Sequence, residues 1–332
     1  MKRFTALKFA AIAATSALAL TACGGSGDAG AKDAGSDGPV KIGIAQYVTH
    51  PSLDAVVTGF KKGMENAGYT GDKISYDENN AQADQATNTS IAGKLAADKD
   101  IDLVLAVATP TAQAAAQAIT SIPVLFSAVT DPVDAKLVKS NEEPGANVTG
   151  TSDKNPVKEQ LELLKQIKPD AKNVGIVYSS GEPNSAVQVK WAKEAASELG
   201  LEIKEAAISA PSEVQQAAAS LDVDAFYVPT DNAVVSALEG LLQTANNKKI
   251  PVIAADGASV KRGATATYGI NYEKLGEQTA AMAVKILKGE AKPATMPVET
   301  ISEVELYLND TAAKKIGIEF SQELRDKAVQ TY

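Results

Sequence analysis

An alternation of short apolar runs with helix-length segments is the feature that most constrains the fold of this chain. Residues 40–45 (VKIGIA) and 103–108 (LVLAVA) are near-continuous apolar runs, which are typical of parallel strands buried on both faces. Residues 53–67, between them, carry apolar side chains at helical spacing. Strand, helix and strand in series predict a parallel sheet with right-handed crossovers.

The pattern starts a second time at residues 173–178 (NVGIVY). A single αβ domain could hold many of these elements, but the restart favours two Rossmann-like βαβ lobes. Polar or Pro-containing junctions at 147–153, 269–272 and 293–301 suggest that the chain crosses between the lobes three times, with a ligand cleft between them. We therefore predict an α/β protein with an N-terminal lobe of residues 40–152 plus 273–297 and a C-terminal lobe of residues 153–272 plus 298–332.

The first residues predict export. Lys2, Arg3 and Lys8 precede an apolar run at residues 9–20, which is shorter than the ~20 residues that a spanning helix needs. The run ends in LTAC, which resembles the lipobox of bacterial lipoproteins. That resemblance implies cleavage after residue 22 and a lipid on Cys23. A secreted protein with a chance Cys at its cleavage site is the alternative.

Residues 24–39 (GGSGDAGAKDAGSDGP) lack any side chain that could anchor a core, so residues 23–39 are predicted to be a lipidated Cys and a flexible tether. The predicted location is the cell membrane, on its extracytoplasmic face.

Composition excludes several classes of function. Loss of residues 1–22 removes three basic residues and takes the formal net charge from −9 to about −12, which argues against a nucleic-acid partner. The chain has one Cys and one His, His50, so it has no intrachain disulfide and no metal site built on several histidines. No G-x-S-x-G, P-loop or metal-ligand cluster is present, so we predict no cofactor and no enzyme activity.

Six segments in order resemble one known family. Together they resemble the ABC-transporter substrate-binding lipoproteins of the tryptophan/tyrosine type, and the resemblance covers nearly all of residues 40–320. It implies the type I periplasmic-binding fold, two lobes joined by a three-stranded hinge, and closure on a small solute that passes to an ABC permease. The segments are residues 50–69, 108–115, 126–133, 179–185, 228–232 and 268–280.

Ligands of open parallel sheets bind outside the carboxyl ends of the strands, and this rule selects candidate residues in the first lobe. Thr109 and Thr111 open a helix whose N-terminus suits a carboxylate, although Thr109 could simply cap that helix. Asp131 could accept from an ammonium or form a turn before Pro132. The first-lobe candidates are Gln46, Tyr47, Thr109, Thr111, Thr130 and Asp131.

The same rule selects residues of the second lobe. Asp231 is the favoured partner there for an ammonium, and Asp256 stands at the next strand end. For His50 a structural or hinge role is favoured over ligand contact. The second-lobe candidates are Glu182, Asn184, Ser185, Asp231, Asn232 and Asp256.

A carboxylate cradle with an acidic partner suits a zwitterion, so the solute is predicted to be an amino acid, and the family is associated with aromatic ones. The favoured function is capture of this solute by a monomeric receptor for an ABC importer. A sensor that presents the solute to a membrane signalling receptor is the alternative, because its folded body would look the same.

Overall fold

The computed structural model describes residues 38–332. The predicted signal peptide, Cys23 and nearly all of the predicted tether lie outside the described residues. Both lobes belong to one compact unit of the chain. None of the described helices is long and apolar enough to cross a membrane.

The first lobe is built on a parallel sheet whose inner strands are the buried apolar runs of the sequence. Four helices flank it: α1 (Pro51–Asn66), α2 (Gln85–Ala97), α3 (Thr109–Ala118) and α10 (Tyr272–Leu287). In spatial order the strands are β11 (Glu299–Thr300), β5 (Val148–Ser152), β4 (Val124–Val129), β3 (Leu103–Val107), β1 (Val40–Gln46) and β2 (Ile74–Asn80).

Helices α1 and α10 pack unusually close together because glycines line their contact. A Cβ added to Gly276 would lie 2.1 Å from the carbonyl oxygen of Val56, and one added to Gly59 would lie 2.0 Å from that of Glu273. These contacts attach α10 to the first lobe, although residues 173–269, which precede it in the chain, contribute most of the second sheet.

The second lobe repeats the plan with a seven-stranded sheet. Only the β10–β12 pair is antiparallel. In spatial order the strands are β13 (Ala328–Thr331), β12 (Glu305–Leu308), β10 (Ala266–Gly269), β9 (Val252–Ala254), β8 (Ala225–Val228), β6 (Asn173–Ser179) and β7 (Glu202–Ile208).

Eight helices cover this sheet. Residues 233–246 read as one helix in the sequence, but the structure has two, with the break at Ala237. The helices are α4 (Val157–Ile167), α5 (Pro183–Glu198), α6 (Val214–Ser220), α7 (Asn232–Ser236), α8 (Leu238–Lys248), α9 (Gly257–Arg262), α11 (Asp310–Lys315) and α12 (Gln322–Lys327).

The chain passes between the two sheets three times, after β5, after β10 and after β11. The first junction differs from the prediction, because Val148–Ser152 is a buried strand rather than a polar connection. Its hydroxyls are paired inside the lobe: Thr149 donates to the carbonyl of Met296 at 2.8 Å. The third crossing lies after residue 300 rather than at 297/298, because Glu299–Thr300 pairs with β5.

Candidate ligand-binding cleft

The carboxyl ends of both sheets face a narrow cleft, and the space between them is called here the interlobe pocket. About 20 Å³ of it is open to water, which is room for about one water molecule. The lobes are therefore closed, and an amino acid fits between them only after the lobes or the lining side chains move. The lining residues are His50, Ser52, Leu53, Ala128, Thr130, Asp153, Asn184, Thr230, Asn232, Val235, Asp256 and Tyr272.

Three direct hydrogen bonds join the lobes across the interlobe pocket. The hydroxyl of Ser52 donates to Asp256 Oδ1 at 2.8 Å. The hydroxyls of Thr130 and Thr230 lie 3.3 Å apart. The third bond links His50 Nε2 to Asn232 Oδ1 at 3.3 Å. All three must break when the cleft opens.

Helix α3 begins just after the carboxyl end of β3, although none of its residues is among those that line the interlobe pocket. Ala108 precedes this helix with φ 81° and ψ 154°, a region that costs an L-residue of order 1–3 kcal/mol. Ala108, and not Thr109, occupies the N-cap position, and the buried hydroxyls of Thr109 and Thr111 have no hydrogen-bond partner within the protein. Helix N-terminal N–H groups together with two free hydroxyls form a donor-rich end suited to an anion.

The hinge contributes a carboxylate. Asp153 follows β5 and is buried, and Oδ2 accepts a hydrogen bond from the Tyr272 hydroxyl at 2.8 Å. Oδ1 accepts from the Thr130 hydroxyl at 3.3 Å. Burial raises the pKa of Asp153 to about 6, because no cation compensates its charge.

Glu182 lies behind the second-lobe wall and is almost fully enclosed. Its oxygens accept hydrogen bonds from the backbone N–H of Ala233 at 2.9 Å, the backbone N–H of Asn232 at 3.1 Å and Asn184 Nδ2 at 3.0 Å. The side-chain amide of Asn232 is a fourth donor. Burial, followed by the nearby charge of Asp231, raises the pKa of Glu182 to about 8.

Asp231 is bonded entirely within its own lobe. Its oxygens accept from the backbone N–H of Ser179 at 2.5 Å, the hydroxyl of Ser185 at 2.7 Å and the N–H of Val234 at 2.8 Å. Burial raises the pKa of Asp231 as well. Asp231 thus caps α7 and joins two loops, and its negative charge reaches the cleft from behind the wall.

Asp256 occupies the N-cap of α9. It accepts from the backbone N–H of Ser259 at 2.8 Å and from the Ser259 hydroxyl at 2.7 Å, while Ser52 approaches it from the other lobe. No Lys or Arg is among the lining residues of the interlobe pocket in the described part of the chain. The cleft is therefore strongly acidic.

Five buried side-chain atoms in residues 38–332 have no hydrogen-bond partner: His50 Nδ1, Asn88 Oδ1, Thr109 Oγ1, Thr111 Oγ1 and Asn184 Oδ1. Two of their residues, His50 and Asn184, line the interlobe pocket, and two begin the helix that follows β3. An unpaired buried polar atom costs about 1–3 kcal/mol, so the free atoms of His50 and Asn184 point to a ligand in the interlobe pocket.

The structure separates the predicted site residues into three groups. Thr130, Asn184, Asn232 and Asp256 line the interlobe pocket. Thr109 and Thr111 provide the free hydroxyls, whereas Glu182, Ser185 and Asp231 form the network behind the second wall. Contact with a ligand stays a prediction for all of them.

The remaining three candidates are engaged elsewhere. Gln46 donates to the carbonyl of Val48 at 2.8 Å and to Asp54 at 2.7 Å. The Tyr47 hydroxyl donates to a backbone carbonyl at 3.3 Å, and burial, with Glu182 nearby, raises its pKa to about 12. Asp131 accepts from two backbone N–H groups of its own turn, the role that the sequence left open for it.

Sequence reasoning missed several lining residues, and Asp153 is the most important of them. It stands at the carboxyl end of β5, so the strand-end rule would have selected it if residues 148–152 had been recognised as a strand. Tyr272, Leu53 and Val235 carry no comparable signal, because they lie inside helices.

Comparison with known proteins gives a consistent result. Residues 41–332 match the family model of the ABC transporter substrate binding proteins. A tyrosine-binding protein of Clostridioides difficile is 45% identical over 281 residues, which cover 84% of this chain and 81% of that protein. An uncharacterized protein of Rickettsia prowazekii is 26% identical over 273 residues, 82% of this chain and 83% of that one.

Solved structures agree with the fold. An ABC domain from Streptococcus pneumonia in complex with L-Trp is 36% identical, with a TM-score of 0.86, 89% of this chain covered and 100% of that one. A ligand-free, open substrate binding protein from Clostridium difficile is 47% identical but has a TM-score of only 0.67, over 88% of this chain and 98% of that one. The ligand-free, open structure is thus the more identical of the two but has the lower TM-score. The predicted type I periplasmic-binding fold is confirmed.

Proposed function

This chain belongs to the ABC transporter substrate binding protein family, and from that premise we propose that it captures an aromatic α-amino acid, tyrosine or tryptophan, between its lobes. Proteins of this family bind solutes and are not enzymes. The chain then serves as the receptor of an importer and delivers its solute to a membrane permease.

Two features at the carboxyl ends of the strands carry this proposal: the donor-rich N-terminus of α3 and the acidic lining of the interlobe pocket. The N-terminus of α3 offers the unpaired hydroxyls of Thr109 and Thr111, which suit a carboxylate. The interlobe pocket itself is lined by the buried carboxylates Asp153 and Asp256, with Glu182 behind them and no cation among the lining residues described. An α-amino acid presents the complementary pair of charges, a carboxylate and an ammonium.

Two relatives support an aromatic side chain on the ligand. The 45%-identical protein is named for tyrosine, and the structure with a TM-score of 0.86 holds L-Trp. Both similarities span more than four-fifths of this chain, so they include both walls of the cleft.

We further propose that a lipid on Cys23 keeps the receptor at the membrane. A protein that only captures solute must remain near its permease, and a short tether gives a high effective concentration there. Replacement of Cys23 by Ala should move the protein from the membrane fraction to the soluble fraction. Retention in the membrane fraction would contradict the anchor without affecting the proposed ligand.

Calorimetric titration of the purified chain with each amino acid, and with glucose as a contrast, tests the ligand. Tyrosine and tryptophan should bind saturably, one per chain. Thr111→Val keeps the shape of the side chain but removes the hydroxyl, and should weaken binding by about 1–3 kcal/mol. Thr58→Val, on the exposed face of α1, is the matched control and should bind like the wild type. Heat with glucose but with no amino acid would refute the proposal.

A further inference from the structure

His50 lies between the two lobes with its ring nitrogens in different environments. It precedes α1 of the first lobe and is 7% exposed. Nε2 lies 3.3 Å from Oδ1 of Asn232, which belongs to the second lobe. Nδ1 is buried and has no partner, and the residue lines the interlobe pocket.

The surroundings of Asn232 determine which of its amide atoms faces His50. Its Nδ2 group donates to Glu182 Oε2. Both oxygens of Glu182 are met by N–H donors, from the backbone of Ala233 and Asn232 and from the amide of Asn184. Because the Glu182 carboxylate accepts all of these bonds, the Asn232 amide turns its Nδ2 towards Glu182 and therefore its Oδ1 towards His50.

This orientation determines the tautomer of His50 in the closed state. Because Asn232 Oδ1 can only accept, the bond requires a hydrogen on Nε2 of His50. Burial lowers the pKa of His50, and the charge of Arg262 lowers it further. Asp256, the bond to Asn232 and Asp54 raise the pKa but do not outweigh burial, so the ring is neutral. A neutral imidazole with hydrogen on Nε2 has a bare lone pair on Nδ1.

Asn184 Oδ1 is the second unpaired atom in the lining, and the partners of its own amide group show that it is an acceptor. Asn184 uses Nδ2 to donate to Glu182 at 3.0 Å and to the carbonyl of Thr230 at 2.9 Å, which leaves Oδ1 free. His50 Nδ1 and Asn184 Oδ1 therefore both require a donor, and Asp153 and Asp256 add negative charge. A primary ammonium has three N–H donors and a positive charge, and meets all of these requirements.

We propose that His50 couples recognition of the ligand ammonium to closure of the lobes. An ammonium N–H donates to Nδ1, which holds the ring hydrogen on Nε2, and that tautomer donates to Asn232 of the second lobe. With hydrogen on Nδ1 instead, Nε2 and Asn232 Oδ1 would be two facing acceptors, and the lobes would lose this bond. The inference rests on the proposed function, since it needs an amine on the ligand.

Nuclear magnetic resonance can observe this step directly, because the chain has only one histidine. Long-range proton–nitrogen spectra of the full chain, labelled in histidine and purified in detergent, report the hydrogen on each ring nitrogen. We expect the complex with tyrosine to show a single Nε2–H tautomer. Hydrogen on Nδ1 in the complex, or a doubly protonated ring, would overturn the inference.

Two variants separate the functions of the two nitrogens. His50→Gln reaches towards Asn232 with an amide but has no acceptor at the position of Nδ1, so tyrosine should bind about 5- to 150-fold more weakly. 3-(4-Hydroxyphenyl)propionate, which lacks the amine, should bind both proteins within about twofold, because it makes no bond to Nδ1. His50→Asn keeps an acceptor near Nδ1 but is too short to reach Asn232. It should leave the open state more populated with tyrosine bound, measured by small-angle X-ray scattering.

The outcomes distinguish the two levels of the argument. If the wild type binds tyrosine and His50→Gln binds it equally well, the coupling by His50 is wrong while the proposed function stands. If His50→Gln weakens the amine-free analogue as much as tyrosine, the residue acts only through the shape of the cleft, and the inference fails. If the wild type binds no amino acid, the proposed function fails first and the inference falls with it.

Discussion

Binding of an amino acid should release about one proton from the cleft at pH 7. Glu182 has a pKa of about 8 and Asp153 one of about 6. At pH 7 these values correspond to roughly 90% and roughly 10% protonation. An ammonium bound in the interlobe pocket, which Asp153 lines and Glu182 lies behind, favours the ionised forms of both groups, so the protons leave when the ligand arrives. Full ionisation of both groups gives the expected total of about one proton per ligand.

The sign of the pH dependence follows from this release. The complex carries fewer protons than the free protein, so raising the pH favours the complex. Near pH 7 the affinity should increase by up to about tenfold per pH unit, which is the limit for loss of one proton. Well above pH 8 the increase should level off, because Glu182 is then ionised before the ligand binds.

Calorimetry in two buffers with different ionisation enthalpies measures the released protons, because the buffer takes them up and adds its own heat. Glu182→Gln removes the main titrating group, so the release at pH 7 should fall to roughly a tenth of a proton. Glu202→Gln, an exposed change of the same kind on β7, should leave the release unchanged. Binding heat that does not depend on the buffer in the wild type would refute the reasoning, as would undiminished release in Glu182→Gln.

Two further predictions concern the backbone around the cleft. Ala108→Gly should stabilise the protein by about 1 kcal/mol in urea denaturation, because relief of backbone strain exceeds the added chain entropy of glycine. The control Ala116→Gly, inside α3, should destabilise the protein by about as much. A loss of stability in Ala108→Gly would contradict the claim that Ala108 is strained. Gly276→Ala should destabilise the protein by more than ~3 kcal/mol or prevent folding, because the new Cβ would meet the backbone of α1. Gly93→Ala, with open space at its Cβ, should be neutral or stabilising in the same urea denaturation. Equal effects of the two substitutions would contradict the close packing of α1 and α10.

The fold was predictable where burial and apolar sequence coincide. The strands Ala225–Val228 and Glu305–Leu308 show this, because their apolar pattern predicts strands and both carry large side chains in the core. Val148–Ser152 was not recognised because its sequence, VTGTS, is polar. Its two threonines are satisfied by Met296, Ser127 and α10, which lie far away along the chain, so the linear pattern contains no sign of their burial.

The site was predictable in position but not in detail. The strand-end rule placed Thr130, Asn184, Asn232 and Asp256 around the pocket without knowledge of their partners. It could not show that Asp231 uses its oxygens on Ser179 and Ser185, since these contacts span about fifty residues of sequence. For the same reason Asp131 and Asp256 look alike in the sequence but face different surroundings in the fold.

The buried carboxylates explain why a closed receptor of this kind would favour a cationic group. Asp153, Glu182, Asp231 and Asp256 are all almost inaccessible to solvent, and burial of an uncompensated charge costs free energy unless the group takes up a proton or gains a positive partner. Neutral donors within the lobes compensate these charges only in part, because burial raises the pKa values of Glu182, Asp153 and Asp231 alike. An ammonium supplies the missing charge only when both walls surround it, because Asp153 lies at the hinge and Glu182 lies in the second lobe. If the proposed function holds, recognition of the amine and closure of the lobes are the same electrostatic event.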